Sequence, residues 1–142
     1  MLYFAYGANL NLRGMKRRCP RATPLSLATL PGHRLEFRTF ITVVPDAASN
    51  VAGALYTLTP GCWRALDEYE GDDYAKVTRG VNTARGAEDA VVYIMQGGVR
   101  KAPTVAYYSD IARGYVDWKL DVAALRRARL ATLHPEKVTL KR

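Results

Sequence analysis

The sequence predicts an α+β domain: a small mixed β-barrel, or a strongly twisted sheet, with helices packed on it. Three observations lead there. Short apolar runs of strand character recur from the first residues to about Gln96, punctuated by Gly, Pro, Asn and Asp. They follow one another in antiparallel-looking order rather than as regular strand–helix–strand units. Well-capped helical segments are few, and they lie at 60–70 and after Pro103. A chain of 142 residues, 49% apolar and 24% charged, can bury one real hydrophobic core, so it reads as a single domain over 1–142 with an irregular tail from about 132.

Residues 2–6 form a strand that is apolar and aromatic and stops abruptly at Gly7-Ala8-Asn9. Residues 11–18 make a short helix or turn, stopped by Pro20. Two extended stretches, 22–30 and 33–44, are separated by the turn signal Pro31-Gly32. Asn50 to Leu58 alternates as a strand. Thr59 is placed to cap a helix that has Pro60 at its first position, and Gly71 closes it. Strands follow at 74–82 and 89–96, the second ended by Gly97-Gly98. Pro103-Thr104 opens a helix to about Arg113, a last helix spans 116–131, and the tail after His134-Pro135 is irregular.

Composition excludes several classes of function. The start of the chain enters a strand pattern at once, without the basic and long apolar regions of a signal peptide, and no apolar run approaches membrane-spanning length. Cys19 and Cys62 are too few for a disulfide framework and suit a reducing cytosol. Ser26, Ser49 and Ser109 are the only serines, and none sits in a G-x-S-x-G elbow; there is no G-x-G-x-x-G and no P-loop. His33 and His134 are too few and too far apart for a zinc signature. Asp67, Glu68, Glu70, Asp72 and Asp73 lack the spacing of a calcium loop. No metal and no organic cofactor is expected.

The net charge of +8 is uneven, with Lys16, Arg17, Arg18 and Arg21 near the front and Arg126, Arg127, Arg129, Lys137, Lys141 and Arg142 near the end. Such clusters read as solvated faces, or as attraction for anions, nucleic acid included.

Two features carry chemistry. At Gly7-Ala8-Asn9 a buried strand ends in a tight turn, whose backbone N–H groups can hold an anion or a developing oxyanion. In the helix after Pro60, at 100° per residue, Cys62, Trp63, Tyr69 and Glu70 fall within about 60° of Leu66, while Glu68 points the opposite way and Asp67 lies at the flank. Glu70 therefore sits on the apolar stripe in the last helical turn. Desolvation, acidic neighbours and the helix dipole all raise its pKa, which suits a proton-transfer group near neutral pH. A structural glutamate at a helix end, snorkelling or paired with an arginine, has the same pattern.

Tyr3-Phe4-Ala5-Tyr6-Gly7-Ala8-Asn9-Leu10 resembles the Y-F-A-Y-G-S-N-L signature of the γ-glutamylcyclotransferase-like superfamily. Leu66-Asp67-Glu68-Tyr69-Glu70-Gly71 is similar to its L-D-x-x-E-G segment, which bears the catalytic glutamate. Tyr74, two residues before Lys76, matches the following Y-x-R/K strand. Ala102-Pro103-Thr104-Val105-Ala106-Tyr107, with Ile111 and Gly114 beyond, resembles the P-S-x-x-Y…I…G segment. The four segments keep the family's order from residue 3 to about 114.

The resemblance implies that family's fold and a cytoplasmic, cofactor-free cyclotransferase, monomer or homodimer, acting on a small γ-glutamyl compound. The substrate's own α-amine attacks its side-chain carbonyl, giving 5-oxoproline and a released amine or amino acid. Glu70 is then the catalytic acid/base. Tyr3, Phe4, Ala5, Tyr6, Gly7, Ala8, Asn9 and Leu10 form the substrate-binding segment, with Tyr6 lining the pocket and Tyr107 hydrogen-bonding the glutamyl part. Asn9 has an equal claim as a turn-forming side chain capping the next helix. Bottom-up chemistry agrees: intramolecular closure needs no protein nucleophile, only folding of the glutamyl chain, one proton carrier and an oxyanion donor. Two residues depart from the pattern. Ala8 replaces Ser and removes a hydroxyl, and Thr104 replaces Ser with helix-capping ability intact. The rival readings are a basic domain that binds nucleic acid or another anion, and a γ-glutamyl ligand binder without activity.

Overall fold

In the computed structural model, which describes residues 1–133, the chain runs β1 (Leu2–Ala5), a 3-10 turn (Ala8–Leu10), α1 (Leu12–Arg18), β2 (Thr23–Arg38), β3 (Phe40–Thr57), α2 (Pro60–Glu70), β4 (Tyr74–Thr83), β5 (Gly86–Met95), α3 (Val105–Asp117) and α4 (Ala123–Ala131). The expected irregular tail after His134-Pro135 lies outside the described residues.

The barrel is the form the sheet takes. Its strands close in the order β1-β3-β2-β4-β5. All neighbours are antiparallel except β1 and β5, whose parallel pairing of Leu2 with Ala90 and Tyr3 with Val91 shuts the ring. Phe4, Leu30, Phe37, Val43, Leu55, Val81 and Val92 are almost fully removed from solvent. Each such side chain contributes roughly 1.5–3 kcal/mol. Leu66 of α2, Ile111 and Tyr115 of α3 and Leu125 of α4 add the helices to the same core.

The helix signals at 59–71 act as the sequence indicates. The Thr59 side chain accepts from the Cys62 amide, Pro60 opens α2, and Gly71 ends it at φ 70°. Thr104 caps α3 by accepting from the Tyr107 amide. Cys19 and Cys62 are buried free thiols.

Two expectations fail on tertiary grounds. Pro31-Gly32 does not turn the chain. It is a bulge in one long strand, between the pairs Pro31–Asn50 and His33–Pro45. On the β3 side the extra residues are gathered by Asp46, whose carboxylate accepts from the Ala48 amide and the Ser49 hydroxyl. The chain reverses instead at Thr39, inside the predicted stretch 33–44, at φ 67°. The Thr39 amide donates to the Lys101 carbonyl at 3.0 Å, so a distant segment holds the turn.

The predicted helix at 116–131 is likewise divided, since residues 116 and 117 belong to α3 and α4 begins only at Ala123. Here Lys119 takes the left-handed position at φ 55°, with Lys119 N–H bonded to the Val116 carbonyl and Leu120 N–H to that of Tyr115. This is a Schellman end with lysine in the usual place of glycine.

Candidate active site

The site lies where the C-terminal end of β1 meets the C-terminal end of α2. One pocket, narrow and open to solvent, is lined by Tyr3, Phe4, Tyr6, Gly7, Ala8, Asn9, Ile41, Tyr69, Glu70, Tyr74, Tyr93 and Tyr107. Glu70 and the Gly7–Asn9 turn thus line one recess. An outer shelf shares Tyr69, Glu70, Tyr74 and Tyr107 with it and adds Phe40 and Asp73. Phe40 meets the Tyr107 ring edge-on at 5.3 Å between centroids.

Aromatic rings displace water from around Glu70. Burial raises its pKa to about 7, and the nearby Arg18 guanidinium pulls it back down. Among the described residues the carboxylate makes no ion pair. The adjacent carboxylate behaves differently. Asp67 accepts from the Tyr93 hydroxyl and pairs with Lys76 at 3.2 Å, which lowers its pKa. Glu68 is exposed.

The turn that shares this pocket with Glu70 is fixed by close packing. A Cβ on residue 7 would lie 2.5 Å from Ile41 Cγ2, and Ile41 is itself buried, so only glycine fits. The 3-10 turn's own bonding starts with Leu10, whose N–H donates to the Gly7 carbonyl at 3.0 Å. The N–H groups of Ala8 and Asn9 come before that first bond and have no acceptor within the turn.

The hydroxyls around the pocket are tied to the scaffold. Tyr6 donates to the Tyr93 carbonyl at 2.6 Å, Tyr74 donates to the Ile41 carbonyl, and Tyr107 accepts from the Ile41 amide at 3.2 Å. Burial pushes all three phenols well above the ordinary tyrosine range. They are neutral donors at any working pH. Tyr107 keeps its own proton available.

Asn9 does not cap the next helix. Asn11 does, accepting from the Gly14 amide at 2.9 Å. Asn9 is buried, donating to the Tyr3 hydroxyl at 2.9 Å and accepting from Arg18 Nε at 2.8 Å. Ala5 and Leu10, which the sequence groups with the binding segment, are buried outside the pocket lining. Four pocket residues went unassigned by sequence. Tyr69 and Tyr74 flank Glu70 in the chain and carried that much signal. Ile41 and Tyr93 arrive by barrel closure and carried none. Of the basic ends, Arg18 turns to the site and Arg129 stacks on Tyr108 at 4.2 Å.

A closed barrel of this topology is the fold of the cyclotransferase-like proteins. A solved structure named gamma-glutamyl cyclotransferase superposes with a TM-score of 0.81 at 24% identity, over 90% of this chain and 85% of that one. An uncharacterized protein from Homo sapiens gives 0.80 at 24% identity, over 89% and 85%. YkqA from Bacillus subtilis gives 0.77 at 19% identity, over 94% of this chain and 54% of that one. The chain belongs to the gamma-glutamyl cyclotransferase, AIG2-like family, whose model matches residues 3–119. No curated protein matches it. Among the described residues, no helix is long and apolar enough to cross a membrane.

Proposed function

We propose that the chain is a cyclotransferase that converts a γ-glutamyl amide into 5-oxoproline and a free amine or amino acid. One arrangement supports this reading: a desolvated carboxylate, without an ion pair among the described residues, and the tight Gly7–Asn9 loop line the same pocket.

In the proposed reaction Glu70, ionised, takes a proton from the substrate's α-ammonium. The amine nitrogen then forms a bond to the γ-carbonyl carbon, and negative charge develops on that oxygen. The amides of Ala8 and Asn9 stabilise an anionic group of the bound glutamyl unit, its oxyanion or its α-carboxylate. Protonated Glu70 gives that proton to the leaving nitrogen as the C–N bond breaks, and the ring nitrogen sheds its second proton, which the released amine takes up, leaving a neutral lactam and an ammonium product. A carboxyl with a pKa near 7 is suited to both transfers. Tyr107 donates its free hydroxyl proton to the glutamyl part, and the released amine lies on the outer shelf against Phe40, Tyr69 and Tyr74. The test is 5-oxoproline release from a panel of γ-glutamyl amino acids and γ-glutamyl amines. No turnover across the panel, together with salt-sensitive binding to DNA or RNA, would overturn the reading in favour of a basic binding domain.

Two expected outcomes follow from this geometry. Tyr107→Phe removes a ligand donor and the acceptor of the Ile41 amide. KM rises by about tenfold, kcat changes less, and stability falls by about 1 kcal/mol. Steady-state kinetics and denaturant titration read the three quantities.

The second concerns pH. The folded pKa of Glu70, about 7, lies above its ordinary value of 4.5. The folded state therefore holds the proton more tightly, and its stability falls as pH rises from about 4.5 to about 7. Above that range the buried charge costs up to about 3 kcal/mol. Glu70→Gln removes this cost, so the variant is more stable than wild type at pH 8 and equal to it at pH 4. Denaturant midpoints at the two pH values decide the matter. Equal midpoints at pH 8 would mean that Glu70 is not desolvated.

A further inference from the structure

We propose that Arg18 is a positioning residue of the reaction: one guanidinium fastens the Gly7–Asn9 loop to the end of the helix that carries Glu70. The inference rests on the cyclotransferase reading above.

Arg18 ends α1, and it belongs to a basic cluster whose other members, Lys16, Arg17 and Arg21, are exposed. Its side chain instead turns inward. Nε donates to Asn9 Oδ1 at 2.8 Å, and Nη2 approaches the Ala8 carbonyl at 3.4 Å. The face of the same group lies 4.3 Å from the centroid of the Tyr69 ring, the residue before Glu70. Asn9 passes the constraint on to the Tyr3 hydroxyl, so loop, strand and helix meet at one planar cation.

Gly14 shows that the fold makes room for this group. A Cβ there would meet Arg18 Nη2 at 3.3 Å and Nη1 at 3.5 Å. A glycine inside a helix is less favourable than alanine, and here the bare position leaves the guanidinium its space. Only arginine combines a directed fork with a flat stacking face. Lysine in its place would keep the charge and lose both.

The charge matters as well as the shape. The groups around Glu70 are Tyr3 and Tyr6 from β1, Tyr69 from its own helix, Tyr74 from β4, Tyr93 from β5, Tyr107 from α3 and Arg18 from α1. Asp73 borders the outer shelf, and Asp110 lies beyond Tyr69. The phenols of Tyr3, Tyr6, Tyr74, Tyr93 and Tyr107 are held neutral by burial. The Arg18 guanidinium supplies the positive field that keeps Glu70 from rising further.

Two variants separate geometry from charge. Kinetics of 5-oxoproline release are followed against pH, and the Glu70 carboxyl is titrated by carbon NMR. In Arg18→Met, kcat/KM falls about tenfold or more through loss of charged hydrogen bonds. Its acidic limb and the Glu70 titration both move to higher pH. In Arg18→Lys, kcat/KM falls by a similar factor, while limb and titration stay near wild type. Wild-type kcat/KM in either variant, or an unmoved Glu70 titration in Arg18→Met, overturns the proposal. Should Arg18→Met fail to fold, Arg18→Lys and Gly14→Ala decide, and wild-type kcat/KM in both overturns it. If wild-type protein releases no 5-oxoproline from any compound, the cyclotransferase reading falls, and with it the positioning role. A working wild type with indifferent Arg18 variants removes the positioning role alone.

Discussion

Glu70→Gln is expected to reduce 5-oxoproline release by about 10²–10⁴-fold, the range a single positioned proton carrier contributes. The side chains are nearly isosteric, and the carboxylate they replace has no ion-pair partner among the described residues, so the pocket keeps its shape. What disappears is a group able to accept a proton from the attacking amine and return it to the leaving nitrogen. Substrate binding, governed by the loop amides and Tyr107, is retained, so kcat falls while the dissociation constant changes little. Single-turnover kinetics with equilibrium binding of the same γ-glutamyl compound separate the two quantities. Asp67→Asn is the matched control. Asp67 is the neighbouring carboxylate, but it is tied to Tyr93 and Lys76, and its loss should cost no more than a few-fold in rate. Comparable losses in both variants would show that the end of α2 is a structural acidic patch with no proton carrier.

The sequence is most readable where the determinants are local. Thr59, Pro60 and Gly71 mark both ends of α2 because a cap, a fixed φ and a left-handed residue each act within one turn. The helical period then puts Glu70 on the apolar stripe, and the pocket it enters lies on that side. Thr39 is opaque for the opposite reason: its type does not favour positive φ, and it is held there by a hydrogen bond to the distant Lys101. Lys119 is opaque because lysine gives no sign of a Schellman end, whose left-handed position usually belongs to glycine. Pro31-Gly32 is a turn signal that the sheet overrides, because continued pairing with β3 outweighs a local preference. The site divides in the same way. The two segments that bear the loop and Glu70 are contiguous motifs, whereas Tyr93 and Ile41 reach the pocket only through the closure of β1 on β3 and β5. Arg18 was hidden by its company, since three exposed basic neighbours make a solvated face the natural reading.

Gly114→Ala is expected to be a strongly damaging single-methyl change beside the site. The added Cβ would lie 2.6 Å from both the Asn11 amide nitrogen and the Leu10 carbonyl carbon, and 2.7 Å from Leu10 Cβ. Two of these neighbours are backbone atoms, and the third belongs to a fully buried side chain, so none can yield cheaply. The contact is also bolted down on both sides. Trp118 Nε1 donates to the Leu10 carbonyl at 3.0 Å, Asn11 Nδ2 to the Asp110 carbonyl at 3.1 Å, and the Leu12 amide to Asp117 at 3.0 Å. Helix α3 would have to back away from the Ala8–Leu10 turn, breaking those bonds or dragging the turn with it. Overpacking of this kind costs about 1–3 kcal/mol, and the upper end is expected where backbone meets backbone. The displacement also moves the loop that lines the pocket with Glu70, so KM rises in protein that remains folded. Gly80→Ala is the control, with no atom within 4 Å of its added Cβ and an ordinary φ, and it should stay within about 0.5 kcal/mol of wild type. If Gly114→Ala unfolds at the wild-type denaturant midpoint and keeps the wild-type KM, then α3 does not set the position of the loop. In that case the loop's geometry rests on Ile41 packed against Gly7 and on Arg18 bound to Asn9.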